Sequence, residues 1–328
     1  MPRLFLPLLL VTLLFTEAHA DILDRPGTRE FITEMVQQQG FDRATLEQLF
    51  RNTEMRDDIL AAISRPAEGK PWFEYRPLFL TEKRIQEGVE FWDKNAKALA
   101  DAEKKYGVPA AIIVAIIGVE TRYGQHQGHY RVMDALATLA FGYPDRAPFF
   151  RNQLTEYLLM TREEHVDPLS LTGSYAGAMG WPQFMPSSFR SFAVDFDQDG
   201  KRDLWEDRAD IIGSVANYFA QHEWHSGEAV AYRAESDSDN HDALLAQGLK
   251  PVIAASELPR DGIRIHTHLA PEQLTALLKL DTETGPEYWV ALNNFYVITR
   301  YNHSPLYAMA VWQLSEAILS ARAEQVQG

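Results

Sequence analysis

The chain contains no cysteine. Disulfides, thiolate metal sites and a cysteine nucleophile are therefore excluded, as is the cysteine on which a bacterial lipid anchor is built. Positive charge is also scarce: 31 Lys and Arg stand against 46 Asp and Glu, a formal net charge of −15. A nucleic-acid binder needs a basic face to neutralise phosphates, so the balance argues against a nucleic-acid partner. Beyond the very start, no apolar run is long enough for a transmembrane helix. "MPRLFLPLLLVTLLFTEAHA" has a positive residue at Arg3, an apolar stretch from Leu4 to Phe15, and an A-x-A site at Ala18-His19-Ala20. That is the layout of a secretory signal peptide, and its twelve apolar residues are too few to span a bilayer. Residues 1–20 are read as a cleaved leader, which leaves an exported, soluble chain that is not membrane-anchored.

The remaining residues are rich enough in aliphatic and aromatic side chains for a folded protein of more than one domain. From Thr28 to Gly107 the pattern is helical. Ile85, Val89, Trp92, Ala96 and Leu99 recur on one face, which predicts one long helix. Pro109 suits the opening of the next helix. Helical patterns continue through "RVMDALATLAF", "FFRNQLTEYLLMTREEH" (ended by Asp167-Pro168), "ADIIGSVANYFAQH" and "YAMAVWQLSEAILSARA". "GSYAGAMGWPQFMPSSF" is too glycine-rich for a helix until Pro186. Beyond Trp224, "AVAYRAE", "KPVIAA", "GIRIHTH" and "YWVAL" are short runs bounded by turn residues, which predicts a small α/β unit over 228–290.

One stretch raises a chemical question. "AIIVAIIGVETRYG" runs from Ala111 to Gly124 and carries a lone carboxylate, Glu120, after an apolar run. If the helix continues to Glu120, then Ile117, Ile116 and Ile113 lie beneath it. Burial would then raise its pKa and keep it protonated near neutral pH, as a general acid requires. If the helix stops at Val119, Glu120 stands in water or pairs with Arg122. Gly118 and Gly124 permit close approach of backbone or ligand, and Tyr123, Ser174, Tyr175, Trp181 and Gln183 offer the rings, hydroxyls and amides that bind sugars.

A second stretch, "DFDQDGKRDLWE" from Asp195 to Glu206, fits the twelve-residue calcium-loop pattern. Asp195, Asp197 and Asp199 occupy positions 1, 3 and 5, Lys201 offers its carbonyl at 7, Asp203 sits at 9 and Glu206 at 12. Five carboxylates against Lys201 and Arg202 would repel one another without a cation. A structural Ca²⁺ is expected, and no organic cofactor.

These blocks, together with "DALATLAFGYPDRAPFF", "IGSVANYF" and "FYVITRYNHSPLYAMAVWQL", closely resemble the lytic murein transglycosylase B family over nearly the whole mature chain. The resemblance implies a mainly α (α+β) fold. A lysozyme-like helical core over 108–227 would carry the site, and an N-terminal helical domain over 21–107 would be completed by the helix 305–328. A small β-containing domain and a groove-lining return segment would occupy 228–304. It implies a soluble periplasmic enzyme, monomeric by default, that acts on peptidoglycan glycan strands and works beside unidentified cell-wall synthesis or remodelling proteins. Cleavage of the β-1,4 bond between N-acetylmuramic acid and N-acetylglucosamine would leave 1,6-anhydromuramoyl ends. Residue by residue, Glu120 matches the catalytic glutamate, and Arg146, Ser174, Gln183, Tyr218, Tyr301, Asn302 and Tyr307 match groove positions. The family's calcium loop is longer than a standard hand, so Asp210 stands beside Glu206 as the candidate for its last carboxylate. Trp181-Pro182 stands where some relatives have Tyr-Gly, and Pro305-Leu306 precedes Tyr307. Asp134, Asp145, Glu163 and Asp167 remain available as second carboxylates. A hydrolytic muramidase and a non-catalytic peptidoglycan-binding scaffold are therefore the alternatives.

Overall fold

A computed structural model of the protein describes residues 22–65, 69–238 and 241–327; the expected leader lies outside them. The chain divides by its contacts into two compact units, up to Glu54 and from Met55 onward. In the first, helices α1 (Thr28–Gln39) and α2 (Arg43–Arg51) form a hairpin. Gly40 takes a left-handed conformation at the end of α1, and the Asp42 carboxylate caps α2 by accepting the Thr45 N–H at 2.8 Å. The Phe31 and Phe50 rings meet edge to face at 6.0 Å.

The second unit begins with α3 (Asp57–Ile63), α4 (Trp72–Tyr75), α5 (Glu82–Lys94) and α6 (Ala96–Tyr106). The expected long helix is thus two. Asn95 leaves helical geometry at φ −120°, ψ 20°, and its amide donates to the Phe91 carbonyl at 2.8 Å. The apolar face runs through this break, which is why periodicity alone joined the halves. Helix α7 (Ala110–Thr121) follows, with Pro109 one position ahead of it as the N-cap. Every residue of α7 is buried except Glu120. A helix apolar all round belongs in the middle of a core, and α7 packs against α5, α6, α11 (Arg208–Gln221) and the C-terminal α14 (Pro305–Gln327).

Strand β1 (Tyr130–Arg131), α8 (Val132–Gly142), α9 (Ala147–Glu163), β2 (Thr172–Gly173) and α10 (Pro186–Phe192) come between α7 and α11. Helix α9 ends at Glu163, before Asp167-Pro168, and His165 turns the chain at φ 57°. The antiparallel β1–β2 pair anchors the glycine-rich loop that follows it.

The small sheet is antiparallel, in the order β4-β6-β7-β3-β5. Its strands are β3 (Ala231–Ser236), β4 (Ile253–Ala254), β5 (Ile263–Ile265), β6 (Leu274–Thr282) and β7 (Gly285–Ala291), with the short α12 (Asp242–Leu245) between β3 and β4. Strand β6 was not anticipated. Leu277 packs with Ile253, Ile263 and Val290 in the sheet's own core, while Ala276, Leu278 and Leu280 join the main core. Buried on both faces, "LTALLKL" loses the alternation that marks a strand. Helix α13 (Asn293–Tyr301) then returns the chain to α14, which packs on α5, α7 and α13. Among the described residues no helix is long and apolar enough to cross a membrane.

Candidate active site and calcium loop

Glu120 lies in the last turn of α7, and the helix continues one residue past it. Arg122 is not its partner. That residue caps the helix in the left-handed region at φ 50° and forks onto the Glu87 carboxylate at 2.7 and 2.9 Å. The Glu120 residue keeps some exposure, but its carboxyl group is enclosed. Burial raises its pKa from 4.5 to about 7, against a hydrogen bond from the Tyr307 hydroxyl that favours the anion.

Two of the expected groove tyrosines meet this acid, and a third, Tyr218, packs against one of them. Tyr307, in the first turn of α14, donates to Glu120 directly. Tyr301 feels the charge of Glu120, and both hydroxyls are pushed well above the ordinary tyrosine pKa, chiefly by burial. Tyr301 donates to the Pro182 carbonyl at 2.7 Å and packs against Phe184, Tyr218 and Phe219 at centroid distances of 5.9, 4.7 and 5.7 Å. Tyr218 donates to the Arg300 carbonyl at 2.6 Å, and burial raises its pKa to about 12.

The glycine-rich loop is a tight backbone construction. Ser174 Oγ accepts the N–H groups of Ala176 and Ala178 at 3.3 and 3.0 Å. Gln183 holds φ at 54°, and its amide donates to the carbonyls of Gly180 and Gln127 at 2.8 and 3.2 Å. Thr121 ties the end of α7 to this loop: its hydroxyl donates to the Trp181 carbonyl at 3.1 Å and accepts the Gly124 N–H at 3.1 Å. Arg146 and Asn302 stand outside the tyrosine cluster. Arg146 is exposed and lies over the rings of Phe149 and Phe150 at 4.5 and 5.3 Å. Asn302 is exposed and accepts the Ser304 N–H at 3.1 Å, just ahead of α14.

Tyr75 was missed. It ends α4, stacks on Trp72 at 6.4 Å, and has its pKa raised by burial and by the charge of Glu120. The aromatic cluster "WFEY" between Pro71 and Pro77 was the available signal.

In the acidic loop, Asp195, Asp197 and Asp210 bring carboxylate oxygens within 4.8 Å of one another. Asp210 is buried, accepts the Phe196 and Asp203 N–H groups at 2.6 and 2.8 Å, and has its pKa raised to about 6, first by desolvation. Glu206 is exposed and is not in this group. Asp199 is exposed and accepts the Lys201 N–H at 2.9 Å. Asp203 turns to the N–H groups of Trp205 and Glu206, at 2.8 and 2.9 Å. An all-oxygen set with this spacing suits a hard divalent cation. The loop also braces the glycine-rich segment. The Leu204 carbonyl accepts the Trp181 N–H at 2.9 Å, Trp205 Nε1 donates to the Thr172 carbonyl at 3.0 Å, and the Arg208 guanidinium lies 3.6 Å from the centre of a Trp181 ring.

A mainly helical core that encloses one glutamate of raised pKa among buried tyrosine hydroxyls suits an enzyme that acts on polysaccharide. A family profile described as the transglycosylase SLT domain matches residues 24–316, and the chain belongs to that family as a lytic transglycosylase. The membrane-bound lytic murein transglycosylase B of Escherichia coli (strain K12) is 46% identical over 314 residues, 93% of this chain and 86% of that protein. The crystal structure of soluble lytic transglycosylase SltB1 from Pseudomonas aeruginosa matches with a TM-score of 0.87 at 54% identity, covering 91% of this chain and 100% of that one. The Escherichia coli lytic transglycosylase Slt35, solved in complex with calcium, matches at 0.85 and 45% identity, covering 92% and 96%.

Proposed function

We propose that the protein cleaves the β-1,4 bond between N-acetylmuramic acid and N-acetylglucosamine in peptidoglycan and closes a 1,6-anhydro ring on the muramoyl product. Protonated Glu120 donates to the glycosidic oxygen as the bond from that oxygen to the muramoyl C1 breaks. The resulting carboxylate then removes the proton from the C6 hydroxyl, whose oxygen bonds to C1. One residue serves as acid and then as base, no water is consumed, and the proton count balances. The muramoyl 2-acetamido group assists at C1, where ordinary glycosidases use a second carboxylate. Tyr307, by donating to Glu120, orients the carboxyl and stabilises it in its anionic phase.

The observation that carries this reading is the isolation of Glu120. Its pKa near 7 answers to burial and to Tyr307. The other candidate acids are engaged elsewhere: Asp134 is held by Arg131 at 2.6 Å, Glu163 by Arg190 at 2.7 Å, and Asp167 accepts the Leu169 N–H at 2.9 Å. Asp145 is exposed. This favours ring closure over hydrolysis. Digesting purified sacculi and weighing the muropeptides tests it. Anhydro ends are expected; reducing ends one water heavier would make the enzyme a muramidase, and intact sacculi a scaffold.

The Asp195, Asp197 and Asp210 set is assigned to a structural Ca²⁺, with Asp210 as the closing carboxylate and the Lys201 carbonyl as a further ligand. Bound there, the cation would neutralise the loop and stiffen the segment that braces Trp181 and Thr172. Export to the periplasm is inferred from the leader. The groove roles of Arg146, Ser174, Gln183, Tyr218, Tyr301 and Asn302 rest on the family resemblance, and Tyr75 is added to them by its proximity to Glu120.

A further inference from the structure

The turn that ends α7 has an unusual backbone. Arg122, Tyr123 and Gly124 hold φ at 50°, 56° and 84°, the one run of consecutive positive values among the described residues. A helix commonly ends on a single left-handed residue, most often glycine. Here the first two positions carry a Cβ, which crowds the backbone in that region. Such a conformation persists only where the surroundings hold it.

Both side chains reach the same helix. Arg122 forks onto Glu87 of α5, and that contact, followed by a hydrogen bond from Gln125, keeps the Glu87 carboxyl below its ordinary pKa. The Tyr123 hydroxyl donates to the carbonyl of Arg84, also on α5, at 3.0 Å. To arrive there the buried Tyr123 ring passes between two glycines. A Cβ at Gly88 of α5, or at Gly118 of α7, would come within 2.5 Å of the hydroxyl. Gly118 lies two residues ahead of Glu120, so the ring packs against the acid's own turn of helix. Gly88 also meets α14, since its added Cβ would come within 2.7 Å of Ile318. Helix α14 carries Tyr307, and the Arg322–Asp93 pair ties it to α5 again at 2.8 Å. The acid and the hydroxyl that bonds to it therefore rest on a common helix, separately from the anchor that Thr121 makes to the glycine-rich loop.

We propose that Arg122 and Tyr123 are positioning residues for Glu120: docked on α5, they hold the strained end of α7 and fix where the carboxyl stands relative to Tyr307. Neither needs to touch substrate, because both act through the backbone that follows Glu120. Without this clamp the turn relaxes, the last turn of α7 loosens, and water reaches the carboxyl. The inference rests on Glu120 as the acid of the reaction proposed above.

Arg122→Gly is the informative variant. Glycine suits a φ of 50° better than arginine does, so a turn that merely stopped the helix would keep its stability and the enzyme its rate. Tyr123→Phe removes one hydroxyl and leaves the ring between its glycines. On solubilised glycan strands both variants should lose about ten- to a hundredfold in kcat, with KM within about twofold of wild type. The Glu120 carboxyl, followed by carbon-13 NMR, should titrate at lower pH than in wild type, because water now reaches it, and the alkaline limb of the rate profile should move the same way. Glu87→Gln should behave as Arg122→Gly does, and the two together should be no worse than either alone. A wild-type kcat or an unshifted titration in both Arg122→Gly and Tyr123→Phe, whatever their melting temperatures, overturns the proposal. Wild-type cleavage by Glu120→Gln would instead remove the acid from the reaction, while the NMR titration would still report whether the turn holds the carboxyl.

Discussion

The hydroxyl of Tyr307 donates to the carboxyl of Glu120 across 187 positions of sequence, joining the first turn of α14 to the last turn of α7. Two forces therefore act on one proton. Enclosure of the carboxyl favours the neutral acid, and the tyrosine favours the anion. The outcome, a pKa of about 7, suits a group that must give a proton and then take one back.

Replacing Tyr307 by Phe removes the opposing force and leaves burial alone. The Glu120 pKa should rise further, because the hydrogen bond that favours the anion is lost. Wild-type kcat/KM should fall as pH climbs through about 7, because the acid form is lost. In Tyr307→Phe that alkaline limb should move upward while the maximum rate drops. A pH-rate profile whose limb stays in place or moves to lower pH contradicts the assignment.

Glu120 should also cost the fold stability. Its pKa is higher in the folded protein than in the unfolded chain, so the folded state binds more protons between about 4.5 and 7. Stability consequently falls as pH rises through that window, by on the order of 3 kcal/mol in full. Glu120→Gln is neutral throughout and escapes this loss. Thermal melts should put the variant a few degrees above wild type at pH 8, with the gap closing towards pH 4. Cleavage should fall about 10²–10⁴-fold. A variant that melts below wild type at pH 8 would mean that the carboxylate is well solvated.

The acidic loop makes a contrast between two carboxylates. If Asp210 closes the calcium site, Glu206→Ala should keep the calcium-dependent rise in melting temperature and Asp195→Ala should lose it. For a weak extracellular site with Kd near 10⁻³ M, 10 mM calcium stabilises by about 1.4 kcal/mol, again a few degrees. Loss of the calcium response in Glu206→Ala would restore the standard twelve-residue hand.

Much of this site was legible before folding, and the misses share a cause. The lone carboxylate in "AIIVAIIGVETRYG" and the regular spacing of "DFDQDGKRDLWE" are local signals. The choice between Glu206 and Asp210 was not local, because it depends on how α11 swings back over the loop. Pairing of Arg122 with Glu87 was equally hidden, since Glu87 sits on another helix. Tyr75 is close to Glu120 only through the packing of α4. Strand β6 escaped because burial on both faces erases alternation, and the break at Asn95 escaped because the apolar stripe crosses it. Sequence period reports which face is buried, not where the backbone bends or which remote side chain arrives.

Gly124 tests whether the end of α7 and the glycine-rich loop act as one piece. It sits at φ 84°, and a Cβ there would come within 2.1 Å of the Trp181 ring. That ring lies under the Arg208 guanidinium, and the Trp181 carbonyl accepts from Thr121, which also accepts from Gly124. A methyl group at Gly124 must push Trp181 away and, with it, the turn one residue from Pro182, where Tyr301 is anchored. Gly227 offers the control, since its φ is 78° but nothing lies within 4 Å of its added Cβ. Gly227→Ala should show backbone strain alone, about 1 kcal/mol, with normal cleavage. Gly124→Ala should lose more than about 2 kcal/mol and most of its turnover. Equal melting temperatures and equal rates for the two variants would show that α7 positions Glu120 without help from the loop.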